Sequence, residues 1–90
     1  MAKYKLVYAP SARKDMSKLP RKIADAVASF CEGPLVENPQ RVGKPLLRNY
    51  EGLYSAKRGS YRVIYRIENE KIIVTVAYVE HRADVYRASR

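Results

Sequence analysis

One stretch constrains this chain more than any other: Gly52-Leu-Tyr-Ser-Ala-Lys-Arg-Gly-Ser-Tyr-Arg-Val-Ile-Tyr-Arg-Ile67. It reads as two short strands joined by a tight turn, predicted at Arg58-Gly59. Lys57, Arg58, Arg62 and Arg66 lie on it, with Tyr54, Tyr61 and Tyr65 interleaved. A two-residue turn fixes which side chains share a face. Ser55, Lys57, Arg62, Ile64 and Arg66 fall on one side; Tyr54, Ala56, Tyr61, Val63, Tyr65 and Ile67 fall on the other and form the core side. If Asn69-Glu70 is a second two-residue turn, Thr75, Ala77, Val79 and then His81 join the basic face. A longer turn reverses that assignment.

The rest of the chain supplies what this ribbon packs against. Lys3 to Tyr8 alternates as a first strand. Pro10-Ser11 opens a helix with Ser11 as N-cap, and Ala12, Met16 and Leu19 make its apolar stripe. Leu19-Pro20 ends it, because proline disfavours helical geometry in the residue before it. A second helix starts at Pro20, carries Ile23, Ala24, Ala26, Val27, Phe30 and Cys31 on its apolar side, and stops at Gly33-Pro34. Residues 33–50 are rich in turn signals and form a long connection with room for a short strand. Lys71 to Val79 is the most apolar run and is expected inside the sheet. His81 to Arg87 is expected to make a last helical turn.

The fold class is therefore α+β. An N-terminal strand, a two-helix hairpin and a three-strand antiparallel meander form one sheet, followed by a short C-terminal helical turn. Residues 1–90 make a single domain. Helices cover one face of the sheet and leave the other open.

Composition limits the function. Eighteen Lys and Arg against nine Asp and Glu give a net charge of +9, which favours phosphate backbones or an acidic protein partner. A hydrophobic content of 47% argues against disorder, and no apolar run approaches the ~20 residues of a membrane span. The N-terminus lacks the apolar block of a signal peptide, so a cytoplasmic protein is expected. Its one cysteine, Cys31, permits no internal disulfide and reads as a buried small hydrophobe. With one Cys and one His, a structural zinc site is not expected.

A basic open face can bind a polyanion, or it can also cut one. Cleaving RNA through its own 2′-hydroxyl needs a base for that proton, cations at the scissile phosphate and an acid for the 5′-oxygen. Arginines supply bidentate phosphate contacts, and a lysine can serve as base where neighbouring arginines disfavour its charge. Tyrosines can stack on unpaired bases. The residues alone leave a solvated basic face and an active site both open, and His81 alone decides nothing.

The pattern Asn38-Pro39, Gly43-Lys44-Pro45-Leu46, Gly52-Leu53, Ser55-Ala56-Lys57-Arg58-Gly59-Ser60-Tyr61-Arg62-Val63-Ile64-Tyr65 and His81-Arg82 resembles the RelE/ParE superfamily of bacterial toxins. It is most similar to the RelE branch from actinobacteria. The resemblance covers essentially the whole chain. It implies the toxin of a type II toxin-antitoxin system: a metal-independent endoribonuclease that cleaves mRNA, at the ribosome, and needs no cofactor. It also implies a cognate antitoxin as partner, and operator DNA contacted only through the antitoxin complex. By position, Arg62 matches the arginine on the scissile phosphate and Arg82 a phosphate-stabilising or acid role. Tyr86 matches a base-stacking tyrosine and Lys57 the general base, with His81 sharing the acid–base work. Arg58, Arg66, Lys44 and Arg48 are the remaining expected phosphate contacts. Ser55 stands where the best-studied pattern has another lysine, and Tyr86 follows Arg82 at a shorter spacing. The ParE branch has the same fold and poisons DNA gyrase. That activity, or non-catalytic binding of nucleic acid, is the alternative.

Overall fold

A computed structural model describes residues 3–46 and 52–81. The elements run β1 (Lys5–Tyr8), α1 (Pro10–Ser17), α2 (Arg21–Phe30), a π-helical turn (Cys31–Leu35), α3 (Pro39–Val42), β2 (Lys44–Pro45), β3 (Leu53–Arg58), β4 (Tyr61–Glu68) and β5 (Ile73–His81). The five strands form one sheet in the order β1-β5-β4-β3-β2. β1 runs parallel to β5 and every other pair is antiparallel. The parallel pair needs a long crossover, which the helices supply. The expected meander is β3-β4-β5, and the short strand for which the 33–50 connection had room is β2, paired to β3. The expected C-terminal helical turn lies outside the described residues.

Both long helices lie on one face of the sheet. Ala12 and Leu19 from α1, Val27 and Phe30 from α2, and Cys31 and Leu35 from the π turn bury against Ala56, Val63, Tyr65, Val74, Val76 and Val79. Three local expectations are corrected. Ser11 does not cap α1: Pro10 is its first residue, Ala9 precedes it, and the Ser11 hydroxyl donates to the Ala77 carbonyl instead. Gly33-Pro34 does not stop α2. The backbone widens into the π turn, with Pro34 inside it, and so keeps Leu35 and Val36 in the core. The hairpin turn is Gly59-Ser60, not Arg58-Gly59, with Gly59 in the left-handed region at φ 57°.

β5 outruns β1, whose last partner pair is Tyr8 with Val76. Beyond that point α1 takes over the exposed edge. The Ala9 N–H donates to Val76, Ser11 to Ala77, and the Val79 N–H donates to Asp15 Oδ2 at 3.0 Å. Side chains thus satisfy backbone groups that no strand reaches. A hydrogen bond to a charged group contributes about 1.5–3 kcal/mol, which ties α1 to the far end of the strand bearing Glu80.

Cys31 is fully buried, as its setting predicted. Burial first, then the nearby Glu32 charge, push its thiol up to about 11, against some lowering by the Tyr8 hydroxyl. The ordinary value is 9.0, so between pH 9 and 11 the folded chain holds a proton that the unfolded chain has lost. Stability from this group is complete below pH 9 and falls by about 1.4 kcal/mol per pH unit above it. Urea unfolding followed from pH 8 to 11 is expected to show this alkaline decline, and Cys31→Ala is expected to make it shallower.

Candidate nucleic-acid interface on the open sheet face

The site rests on the β3–β4 hairpin. The observed register pairs Lys57 with Arg62, Ser55 with Ile64 and Leu53 with Arg66. Moving the turn by one residue shifts the pairing by two, so the predicted faces survive: Ser55, Lys57, Arg62, Ile64 and Arg66 share the open side. Directly opposed residues have Cβ atoms about 5 Å apart, and like charges there are destabilising. Lys57 and Arg62 are such a pair, both exposed.

β5 departs from the expected pattern. A bulge lies opposite Ile64 and Tyr65, which pair with Tyr78 and Val76 and leave Ala77 unpaired. An extra residue in one strand flips the alternation beyond it. Before the bulge Thr75 faces Arg66 on the open side, as expected. After it Tyr78 and Glu80 face outward, while Val79 enters the core. Ala77 and Val79 therefore do not join the basic face. His81 does not either, because it pairs with Tyr61, whose ring packs edge-on against Phe30 at 6.5 Å on the helix side. The spacing of the buried valines, Val74, Val76 and then Val79, was the sequence signal for this slip.

Glu80 takes the place on the open face that the parity argument had given to other residues. It pairs with Arg62 across the strands, and its carboxylate lies 3.8 Å from the guanidinium, with the two side chains 45% and 48% exposed. An ion pair this open contributes about 0–1 kcal/mol, so a ligand phosphate can displace the carboxylate at little cost. Among the described residues no carboxylate pairs with Lys57.

A second basic element is folded over the sheet edge. A groove of about 580 Å³ is lined by Arg41, Lys44, Ser55, Lys57, Arg58 and Arg62, with residues 42–46 as its wall. Tyr65 holds this wall in place: its buried hydroxyl donates to the Pro39 carbonyl at 2.6 Å, and its ring stacks on Tyr54. Gly43 passes directly over the sheet. A Cβ there would collide with the Tyr65 hydroxyl and come within 2.7 Å of the Ser55 carbonyl oxygen. Only glycine allows so close a backbone approach.

Of the other expected contacts, Lys44 is exposed on β2 opposite Ser55, and Arg66 lies on the same face four residues, about 13 Å, from Arg62. Arg58 sits at the groove's rim with its guanidinium engaged. It lies 4.8 Å from the Phe30 ring centroid and donates to the Val42 and Lys57 carbonyls. Arg58 thus bridges the wall to α2. Arg48, Arg82 and Tyr86 lie outside the described residues. The Gly43–Tyr65–Pro39 contact, Glu80 and Tyr78 were not foreseen.

This geometry defines an α+β fold with a basic sheet face, and comparison with known proteins shows its family. Residues 6–86 match the model of the ParE toxin of the type II toxin-antitoxin system parDE. The chain is 48% identical over 84 residues to Toxin RelG of Mycobacterium tuberculosis, covering 93% of this chain and 97% of the relative. It is 43% identical over 84 residues to Toxin RelE of the same organism, covering 93% and 87%. Its structure matches the RelBE2 toxin-antitoxin complex of M. tuberculosis with a TM-score of 0.88 at 44% identity, covering 90% of this chain and 100% of the other. It matches the isolated RelE toxin of E. coli with a TM-score of 0.71 at 26% identity, covering 96% and 94%. The chain belongs to the RelE/ParE superfamily of type II toxin-antitoxin toxins.

Two substitutions test the wall. Gly43→Ala must push backbone against backbone, and is expected to destabilise the fold by about 1–3 kcal/mol in urea unfolding. Tyr65→Phe leaves the buried Pro39 carbonyl without its donor, at a similar cost of about 1–3 kcal/mol.

Proposed function

We propose that this toxin is an endoribonuclease that cleaves mRNA at the ribosome, using the substrate's own 2′-hydroxyl as nucleophile. The observation that carries this reading is the opposed pair Lys57 and Arg62, on the sheet face that the described helices leave open, flanked by a basic groove. Two cationic side chains whose Cβ atoms lie about 5 Å apart repel one another, and gain most when a phosphate lies between them. The relatives named RelE and RelG support the RelE branch over the ParE branch.

In the proposed reaction, Lys57 takes the 2′-hydroxyl proton. The 2′-oxygen bonds to phosphorus and the bond from phosphorus to the 5′-oxygen breaks, leaving a 2′,3′-cyclic phosphate and a 5′-hydroxyl. Arg62 binds the scissile phosphate and stabilises charge that builds on it. Arg82, carried by the segment after β5, stabilises the phosphate or protonates the leaving oxygen. Tyr86 stacks on a base. His81, turned to the helix side of the sheet, takes no part in the proton transfer. Lys44, Arg48 and Arg66 extend the phosphate track, and Arg58 adds to it from the groove's rim. The partner protein is a cognate antitoxin that masks this charge, as complexes of similar toxins with RelB antitoxins suggest; operator DNA is reached only through that complex. The protein acts in the cytoplasm. Among the described residues no helix is long and apolar enough to cross a membrane.

Mapping RNA ends after induction tests the reading. New 5′-hydroxyl ends inside coding regions are expected; DNA damage with intact messages would mean gyrase poisoning instead. Arg62→Ala is expected to lower the cleavage rate roughly 10²–10³-fold, on the scale of losing one transition-state donor. Its unfolding midpoint should barely move, since its ion pair with Glu80 is exposed. Full cleavage by this variant would remove Arg62 from the site.

A further inference from the structure

The open face carries a second groove, of about 470 Å³, whose chemistry differs from the first. Leu46, Leu53, Ile64 and the Tyr78 ring make it largely apolar, with Ser55, Arg62 and Glu80 as its polar members. Tyr78 is 50% exposed. The β5 bulge turns it outward, and bulges beside sites commonly re-aim a side chain in this way. A lone exposed tyrosine needs no explanation. This one stands at the wall of an apolar trough that adjoins the basic groove, and the two share Leu46, Ser55 and Arg62.

An occupant that fills both must be flat and apolar at one end and anionic at the other. Tyr78 pairs with Ile64, two residues along β4 from Arg62, a separation of about 7 Å. One nucleotide can place its base against Tyr78 and its phosphate on Arg62. We propose that Tyr78, over the floor formed by Leu53 and Ile64, is a stacking subsite for an unpaired nucleobase next to the phosphate held by Arg62 and Lys57. The subsite rests on the endoribonuclease reading for its substrate, and it is separate from the C-terminal Tyr86. Aromatic stacking tolerates any base, so the subsite contributes affinity and alignment rather than sequence choice.

The chain has no tryptophan, so Tyr78→Trp introduces a single reporter at the subsite. The probe is a short single-stranded RNA made uncleavable by 2′-deoxy sugars at the mapped cut, with a matched RNA abasic on both sides of it. Quenching of the Trp emission by the parent RNA and not by the abasic one is expected. Alongside, Tyr78→Ala is expected to lower kcat/KM on ribosome-bound message roughly ten-fold or more, the scale of one lost stack. Tyr78→Phe and Tyr78→Trp should stay within a few-fold of the parent. Equal quenching by abasic RNA, no quenching by either RNA, or undiminished cleavage by Tyr78→Ala would overturn the subsite. Quenching by antitoxin with none by either RNA would make the trough a protein-docking surface. Base-dependent quenching with no cleavage by the unsubstituted protein would uphold the subsite and reject the endoribonuclease reading.

Discussion

The buried hydroxyl of Tyr65 joins the two halves of the site. It lies on the core side of β4 and donates to the Pro39 carbonyl at 2.6 Å. Burial pushes its pKa up to about 12, so it keeps its proton at any physiological pH. The bond holds the chain from Pro39 to Leu46 close enough that Gly43 touches the sheet backbone. That contact acts with the β2–β3 pairing and the Arg58–Val42 hydrogen bond to fix Arg41 and Lys44 relative to Lys57 and Arg62. An aromatic residue of the core therefore positions charges on the opposite face.

That face is costly to maintain. Lys57 opposes Arg62, and the whole chain carries +9. Such repulsion is tolerable where the fold is stabilised elsewhere, and the apolar core between helices and sheet does this. Glu80 offsets part of it by pairing with Arg62 at 3.8 Å, a contact weak enough to exchange for a stronger anion. The same weakness suits the proposed exchange of this carboxylate for a substrate phosphate.

Local patterns made much of the fold legible. The helix break at Leu19-Pro20, the alternating strands and the single apolar stripe of each helix all translate directly into observed elements. The hairpin faces also came through, because an error in turn position that shifts register by two preserves side-chain parity. The expected end of α2 did not survive, since burying Leu35 and Val36 outweighs the local preference of Gly33-Pro34 to stop a helix.

By itself the sequence determined the elements, the +9 charge and which residues of the hairpin face outward, since these follow from composition, period and parity. Its motifs also pointed to the toxin superfamily. Only tertiary structure decided the fate of His81, Glu80, Tyr78 and Arg58. One extra residue at the β5 bulge sends His81 to the helix side and brings Glu80 and Tyr78 to the open face. Packing of Arg58 against Phe30 and the Val42 carbonyl gives that cation a structural contact. A bulge and a guanidinium's partner both depend on residues far away in the chain, and a period read along one strand cannot register them.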